Sequence, residues 1–201
     1  MKEKIRLEQL KIENQFKLEA GILDLCSSEK LDSDVIGQQK AKKDLHHTII
    51  VPIKFPQLSM HFRYKWHSGI LLYGPKGCGK THILKCVANE VKMKFVYIEA
   101  EDLLEPETGL SFLKSTFCLA RHHRTCIILI SNSELLTTEL GKSLIPELLV
   151  EIQLCYMEDY KISVVYETCE PWKFISSDSL LKSCTAKVNK WFQVIMLYIM
   201  L

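Results

Sequence analysis

The stretch that most narrows what this chain can become is Gly74-Pro75-Lys76-Gly77-Cys78-Gly79-Lys80-Thr81. Its spacing is G-x-x-x-x-G-K-[ST]. In such a loop the glycines let backbone N–H groups curl around phosphate oxygens, the lysine reaches the β/γ-phosphates, and the hydroxyl ligates Mg²⁺. The pattern carries weight only between a strand and a helix. Gly69-Ile70-Leu71-Leu72-Tyr73 is a short apolar run of the kind a buried parallel strand makes. Thr81 to Val91 then places Ile83, Leu84, Val87, Ala88 and Val91 at helical spacing. The competing explanation is a chance glycine turn beside a lysine, which the flanking strand and helix disfavour. The expected ligand is ATP or ADP with Mg²⁺. The residues expected to hold it are Gly74, Pro75, Gly77, Cys78, Gly79, Lys80, Thr81 and His82, with Thr81 as the metal ligand.

Three further runs extend this unit into a sheet. Phe95–Glu99 alternates apolar and aromatic residues, Cys126–Ile130 is the strongest β run in the chain, and Ile162–Tyr166 is a fourth strand. Helical patterns lie between them at Leu110–His122 and Leu144–Gln153, and another, Gln38–Val51, precedes the loop and ends at Pro52 and Pro56. Alternating strands and helices predict an α/β fold: a parallel sheet covered on both faces, three layers deep. Ligands in such sheets bind at the carboxyl ends of the strands, where the glycine loop lies. Residues 2 to about 25 read as a helix without a clean heptad, and Ser27–Lys30 breaks it. The expected organisation is a helical arm over 1–31, a nucleotide-binding domain over 32–187 and an apolar tail over 188–201 that supplies a fifth strand or is a truncation artefact.

Composition supports one globular domain with an appendage: 201 residues, 47% hydrophobic, 25% charged. A net charge of +2 makes no electrostatic case for nucleic acid. The start is too charged for a secretory signal, and no apolar run reaches the ~20 residues of a spanning helix. The eight cysteines never approach C-x-x-C spacing, so free thiols in a reducing, cytoplasmic compartment are expected.

Beyond the loop, several segments resemble the AAA ATPases. They are Asp34-Val35-Ile36-Gly37, Pro52-Ile53-Lys54-Phe55-Pro56-Gln57-Leu58, Trp66 through Pro75, Glu147-Leu148-Leu149-Val150 and Pro171-Trp172. The likeness covers roughly residues 33 to 185. It points to the katanin, spastin and Vps4 group, nearest to katanin-like catalytic subunits. The resemblance implies that Val35, Ile36 and Gly37 lie near the adenine. It implies assembly with AAA subunits, as a homo- or hetero-oligomer, and for katanin relatives severing of microtubules by pulling acidic tubulin tails through a central pore. Association with the cytoskeleton would follow.

The chain departs from that pattern where hydrolysis is done. P-loop ATPases need a carboxylate at the end of the third strand to help hold Mg²⁺, and the relatives follow it with a Glu that polarises water. Here Ser131-Asn132 stand in those places, and no Asp occurs between Asp102 and Asp159. Glu134 is the nearest acid. It is a weak catalytic candidate, set against the reading of a solvated loop glutamate. The arginines are Arg6, Arg63, Arg121 and Arg124, so none falls near Leu180–Ser183, where the family carries its trans-acting finger. Cys169 replaces the sensor amide. The pore segment Glu105-Pro106-Glu107-Thr108 before Gly109 is acidic, which opposes an acidic substrate. The family's helical lid, expected after residue 185, finds no match in the tail. Three readings follow: an ATP-binding AAA module with weak or absent hydrolysis that acts through AAA partners or microtubules, an active severing ATPase, and a non-functional truncated product.

Overall fold

A computed structural model describes residues 22–23, 31–57, 69–157, 160–176 and 195–199. The predicted strands all form: β2 (Gly69–Tyr73), β3 (Lys94–Glu99), β4 (Thr125–Ser131) and β5 (Lys161–Thr168). Two short strands flank them, β1 (Ile22–Leu23) and β6 (Ile195–Tyr198). The sheet runs β1-β3-β4-β5-β2-β6. Every neighbouring pair is parallel except β1 with β3.

Side-chain alternation along β4 shows why the sheet is covered twice. Cys126, Ile128 and Ile130 enter one core with Phe112, Leu113, Phe117, Leu148 and Ile152 from helices α6 (Gly109–His123) and α7 (Glu139–Met157). Ile127 and Leu129 enter the other, with Ile83, Leu84 and Val87 of α4 (Lys80–Val91) and with Leu45, Ile49 and Ile50. Each fully buried aliphatic side chain contributes about 1.5–3 kcal/mol, so a strand apolar at five successive positions commits to the middle layer. Burial also pushes the Cys126 thiol up to about 12, which keeps it protonated and inert. Among the described residues Cys86 and Cys155 are buried too, while Cys118 and Cys169 are exposed.

The winding places the glycine loop. From β2 the chain crosses by α4 past β5 and β4 to reach β3, then returns by α5 (Ala100–Leu103), α6 and α7 on the opposite face. The loop after β2 therefore opens where the winding reverses, beside the end of β5.

Three expectations are corrected. The N-terminal segment was expected to be helical to about residue 25, but Ile22–Leu23 pairs antiparallel with Phe95 and Val96. Two apolar residues beside an open strand edge gain ladder hydrogen bonds that an isolated helix end lacks. The rest of that segment lies outside the described residues.

Pro52 does not end its helix. Following α1 (Leu31–Asp34), α2 (Gln39–Leu45) passes through a π turn (His46–Ile50) into α3 (Val51–Lys54). Proline lacks the N–H that an α-helical turn would use, and the widened turn lies just before it. The helix stops at Phe55, the residue preceding Pro56.

Helix α7 begins five residues earlier than the periodicity from Leu144 suggests and carries Pro146 inside it. Thr138 starts it: its hydroxyl accepts the Gly141 N–H (3.3 Å) and its carbonyl the Lys142 N–H (2.9 Å). The expected fifth strand is β6, parallel to β2; residues 177–194 lie outside the described residues.

Candidate nucleotide site

Loop residues 74–79 connect β2 directly to α4. Gly77 and Gly79 take left-handed backbone angles (φ 84° and 88°), and Gly79 stands at the N-cap of α4, where the helix N–H groups lack internal partners. Gly74 is pressed between two carbonyls. Its N–H donates to Thr168 O (3.3 Å), and a Cβ there would lie 2.3 Å from Ile199 O. The strand-loop-helix context that the spacing requires is therefore present, with Pro75, Lys76 and Cys78 filling the turn.

Lys80 is buried in the first turn of α4. Its Nζ donates to Gly74 O (3.0 Å) and Pro75 O (2.9 Å), and lies 3.8 Å from Cys78 Sγ and 3.7 Å from Cys169 Sγ. The carboxylate nearest to it is Glu167, Oε1 at 3.7 Å. The Thr81 hydroxyl donates to the other oxygen of the same carboxylate, Oε2 at 3.0 Å. Glu167 is the residue that sequence reasoning missed. The apolar run ends at Tyr166, whereas β5 continues to Thr168. Tyr166 enters the core on the α6/α7 face and Val165 the other, so Glu167 returns to the α4 side. Counting the alternation two residues further places its side chain on that face, though not beside Thr81.

The end of β4 carries Ser131 and Asn132 in place of an acid. Ser131 is buried beneath the Ile98 carbonyl, 3.5 Å from its Oγ. Asn132 has left-handed backbone angles (φ 49°, ψ 35°), and its amide donates to Glu101 Oε1 at 3.0 Å. Glu134 lies in a short 3-10 turn (Ser133–Thr137), not a loose loop. Its Oε2 is buried without a hydrogen-bond partner. Lys173 in α8 (Pro171–Ser176) is held above the usual lysine range mainly by its hydrogen bond to Glu170, with a smaller pull from Glu134. The solvated-loop reading of Glu134 therefore fails. The contacts made to Lys80 and Thr81 by Glu167 are none that Glu134 makes.

A groove of about 300 Å³ runs from the loop to the segment before α2, lined by Val35, Ile36, Gly77, Cys78, His82 and Ile199 among others. Ile36 is 94% exposed, an unusual place for an isoleucine, while Val35 is buried. Gly37 (φ 75°) and Gln38 (φ 53°) turn the chain so that the segment faces the loop. The groove sits at the small end of ligand pockets, and its lining mixes apolar Val35, Ile36 and Ile83 with polar Asp34, Gln38 and His82. His82 lines it and contacts Cys86 (3.8 Å).

The acidic segment before α6 is tied internally. Thr108 donates to the Glu105 carboxylate, and the Gly109 N–H donates to Glu105 O at 2.9 Å. Leu180–Ser183 lies outside the described residues.

Known proteins match the sequence and the fold. The family model described as ATPase family associated with various cellular activities (AAA) matches residues 70–189. The chain belongs to the AAA family. Among curated relatives, Protein SUPPRESSOR OF K(+) TRANSPORT GROWTH DEFECT 1 of Arabidopsis thaliana is 33% identical over 171 residues, covering 79% of this chain and 39% of the relative. Vacuolar protein sorting-associated protein 4B of Mus musculus is 34% identical over 175 residues, covering 82% and 38%. The chain thus spans about two-fifths of the length of these relatives. The crystal structure of the FIGL-1 AAA domain in complex with ADP superposes with a TM-score of 0.76 at 27% identity, over 94% of this chain and 61% of that one. A structure describing katanin self-assembly shares the fold, with a TM-score of 0.70 at 24% identity, over 90% and 57%. These similar proteins are of the Vps4 and FIGL-1 kind, and the likeness to katanin is one of fold. Among the described residues no helix is long and apolar enough to cross a membrane.

Proposed function

We propose that this chain is an ATP- or ADP-binding AAA module whose own turnover is near background and which acts by assembling with AAA subunits, its own copies or others. The supporting observation is the contrast at the loop. Lys80 is buried and aligned by the Gly74 and Pro75 carbonyls, with Thr81 beside it, while the end of β4 offers Ser131 and Asn132 engaged elsewhere. In this reading residues 32–187 form the nucleotide module. Gly74, Pro75, Gly77, Cys78, Gly79, Lys80 and Thr81 hold the phosphates, and Val35, Ile36 and His82 line the base groove, with Gly37 turning the chain beside it. The ADP bound by FIGL-1 and the self-assembly of katanin support ligand and oligomer by analogy. Microtubules, a cytoplasmic setting and cytoskeletal association belong to the same proposal.

Mg²⁺ fits the residues present. A hydroxyl and a carboxylate oxygen lie 3.0 Å apart at the loop, a hard-oxygen donor set. Among the described residues no group of three or more His, Cys, Asp or Glu side chains converges. A P-loop site does not need one, since phosphates and waters complete the shell. When bound, the ion would neutralise phosphate charge. Thr81 would hold it, and Lys80, now on the Gly74 and Pro75 carbonyls, would be the cation for the phosphates. Asn132 itself brings an amide where a water-polarising carboxylate would stand, and that amide donates to Glu101.

Calorimetric titration of the purified chain with ATP and ADP tests the reading. Binding in the micromolar range with background phosphate release is expected. No heat and no thermal stabilisation at millimolar nucleotide retires it.

A further inference from the structure

We propose that Glu167 is the metal-facing carboxylate of this site, the acid of the Mg²⁺ shell having moved one strand across the sheet, from the end of β4 to the end of β5. The inference rests on the nucleotide reading of the loop. Its ground is the arrangement at Thr81. In P-loop NTPases the loop hydroxyl and one strand-end carboxylate share the ion. Here the strand-end carboxylate sharing a hydrogen bond with that hydroxyl is Glu167, Oε2 at 3.0 Å.

The backbone fixes it there. Leu72 and Glu167 are register partners in the parallel β2–β5 ladder, and the Glu167 carbonyl accepts the buried Ser133 hydroxyl at 2.8 Å. The carboxylate stays partly open, its side chain 17% exposed, so solvent and ligand reach it.

A different role for the same residue is a plug, an acid that neutralises Lys80 until nucleotide displaces it. The distances favour the metal role. Lys80 places its hydrogen bonds on two backbone carbonyls at 3.0 and 2.9 Å, and Glu167 stands off at 3.7 Å. The closer contact of the carboxylate is with the metal-binding hydroxyl. The substitution retains an acid for the ion without restoring one at Asn132 for the water. The chain would then hold Mg²⁺-nucleotide while turning it over poorly.

The test compares the unmodified chain with Glu167→Gln, which keeps the shape, and Glu167→Asp, which keeps the charge. A fluorescent ADP analogue is titrated with Mg²⁺ and with EDTA, and Mn²⁺ bound in the presence of ADP is read by paramagnetic resonance. Thermal melts without nucleotide report folding of each form. The unmodified chain should bind the analogue about tenfold or more tightly with Mg²⁺, and the advantage should fall to about twofold or less in Glu167→Gln, since losing even a partner that orients a metal ligand costs about 10- to 100-fold in metal affinity. Glu167→Asp should retain part of it, together with a bound-Mn²⁺ signal. If Glu167→Gln fails to fold, the Mn²⁺ signal and Mg²⁺ advantage of Glu167→Asp decide: their persistence supports the proposal and their loss overturns it. An unchanged Mg²⁺ advantage in Glu167→Gln overturns the proposal, as does equal loss in both variants. Tighter binding by Glu167→Gln in EDTA and Mg²⁺ alike makes Glu167 a plug instead. Binding by every form with no Mg²⁺ effect overturns this proposal and leaves the nucleotide reading standing. No binding by any form overturns both.

Discussion

The carboxyl ends of β4 and β5 lie side by side and differ in what they present to the glycine loop. At β4 the chain has Ser131, turned under the Ile98 carbonyl, and Asn132, bonded to Glu101. At β5 it has Glu167, bonded to Thr81 and close to Lys80. One end carries no acid of its own, and its neighbour carries Glu167. The two functions of a strand-end acid, holding the ion and directing the water, separate here. Ion holding depends on reaching the Thr81 hydroxyl, which a neighbouring strand can do. Water activation needs a base beyond the terminal phosphate, which nothing on β5 is seen to supply.

The largest expected effect is on turnover. Phosphate release by the unmodified chain should stay at background, since loss of one such group costs ~10²–10⁴-fold. Ser131→Asp with Asn132→Glu should raise it by about 10²-fold when mixed with an active relative that supplies the arginine. The two substitutions are not equal. Asn132 sits at φ 49°, a conformation Asn tolerates and Glu adopts at a cost of about 1–2 kcal/mol. Ser131→Asp alone should therefore fold better than Asn132→Glu alone. Turnover near one per second by the unmodified chain, an ordinary enzyme rate, would break the comparison. Glu134, with its buried unpartnered oxygen, would then be the first residue to mutate.

Next in size is Lys80→Ala. The change removes a charge-assisted contact to phosphate worth about 1.5–3 kcal/mol, so ADP affinity should fall by roughly 10- to 100-fold. Equal binding by the variant would show that the loop is not the site, and both strand ends would lose their assigned meaning.

Much of this was legible in the sequence. Apolar runs gave the four central strands because a doubly covered strand has no polar face to obscure it, as Cys126–Ile130 shows. The loop was legible because its glycines serve backbone geometry that few other residues allow. Helix ends were less so, because the π turn at His46–Ile50 lets the chain pass Pro52, and no local residue type announces it. Glu167 was hidden for a different reason. Its role comes from the β2–β5 pairing, which sets residues 81 and 167 side by side, and a motif search along the chain does not see across a sheet.

A smaller effect separates damage to the site from damage to the fold. Arg121 of α6 pairs with the buried Glu151 of α7 at 2.6 Å, on the face away from α4. Arg121→Met leaves that carboxylate without its cation. A fully buried pair would cost about 3–5 kcal/mol, and the partial exposure of Arg121 lowers this to about 2. Its melting temperature should drop while the Mg²⁺ dependence of nucleotide binding stays as in the unmodified chain. A change in that dependence would mean that the helices covering β4 also set the site, and the comparison of strand ends would be too local.

The smallest expected effect addresses the bond that joins the two ends. Ser133 follows Asn132, is fully buried, and donates its hydroxyl to the Glu167 carbonyl at 2.8 Å. It is the stitch by which the turn after β4 fixes the residue on β5 that carries the acid. Ser133→Ala removes the donor and leaves a carbonyl that retains a second lone pair, so stability should fall by only about 0.5–1.5 kcal/mol. Position matters more than stability here, because Glu167 must meet Thr81 within hydrogen-bond reach. If the stitch positions the acid, Ser133→Ala should reduce the Mg²⁺ advantage in ADP binding severalfold while affinity in EDTA is unchanged. Ser133→Thr, which keeps a hydroxyl, should retain more of it, provided the buried site accepts the extra methyl. Equal losses with Mg²⁺ and with EDTA would assign Ser133 to the fold alone. The position of Glu167 would then rest on the β2–β5 ladder, and the strand ends would act independently.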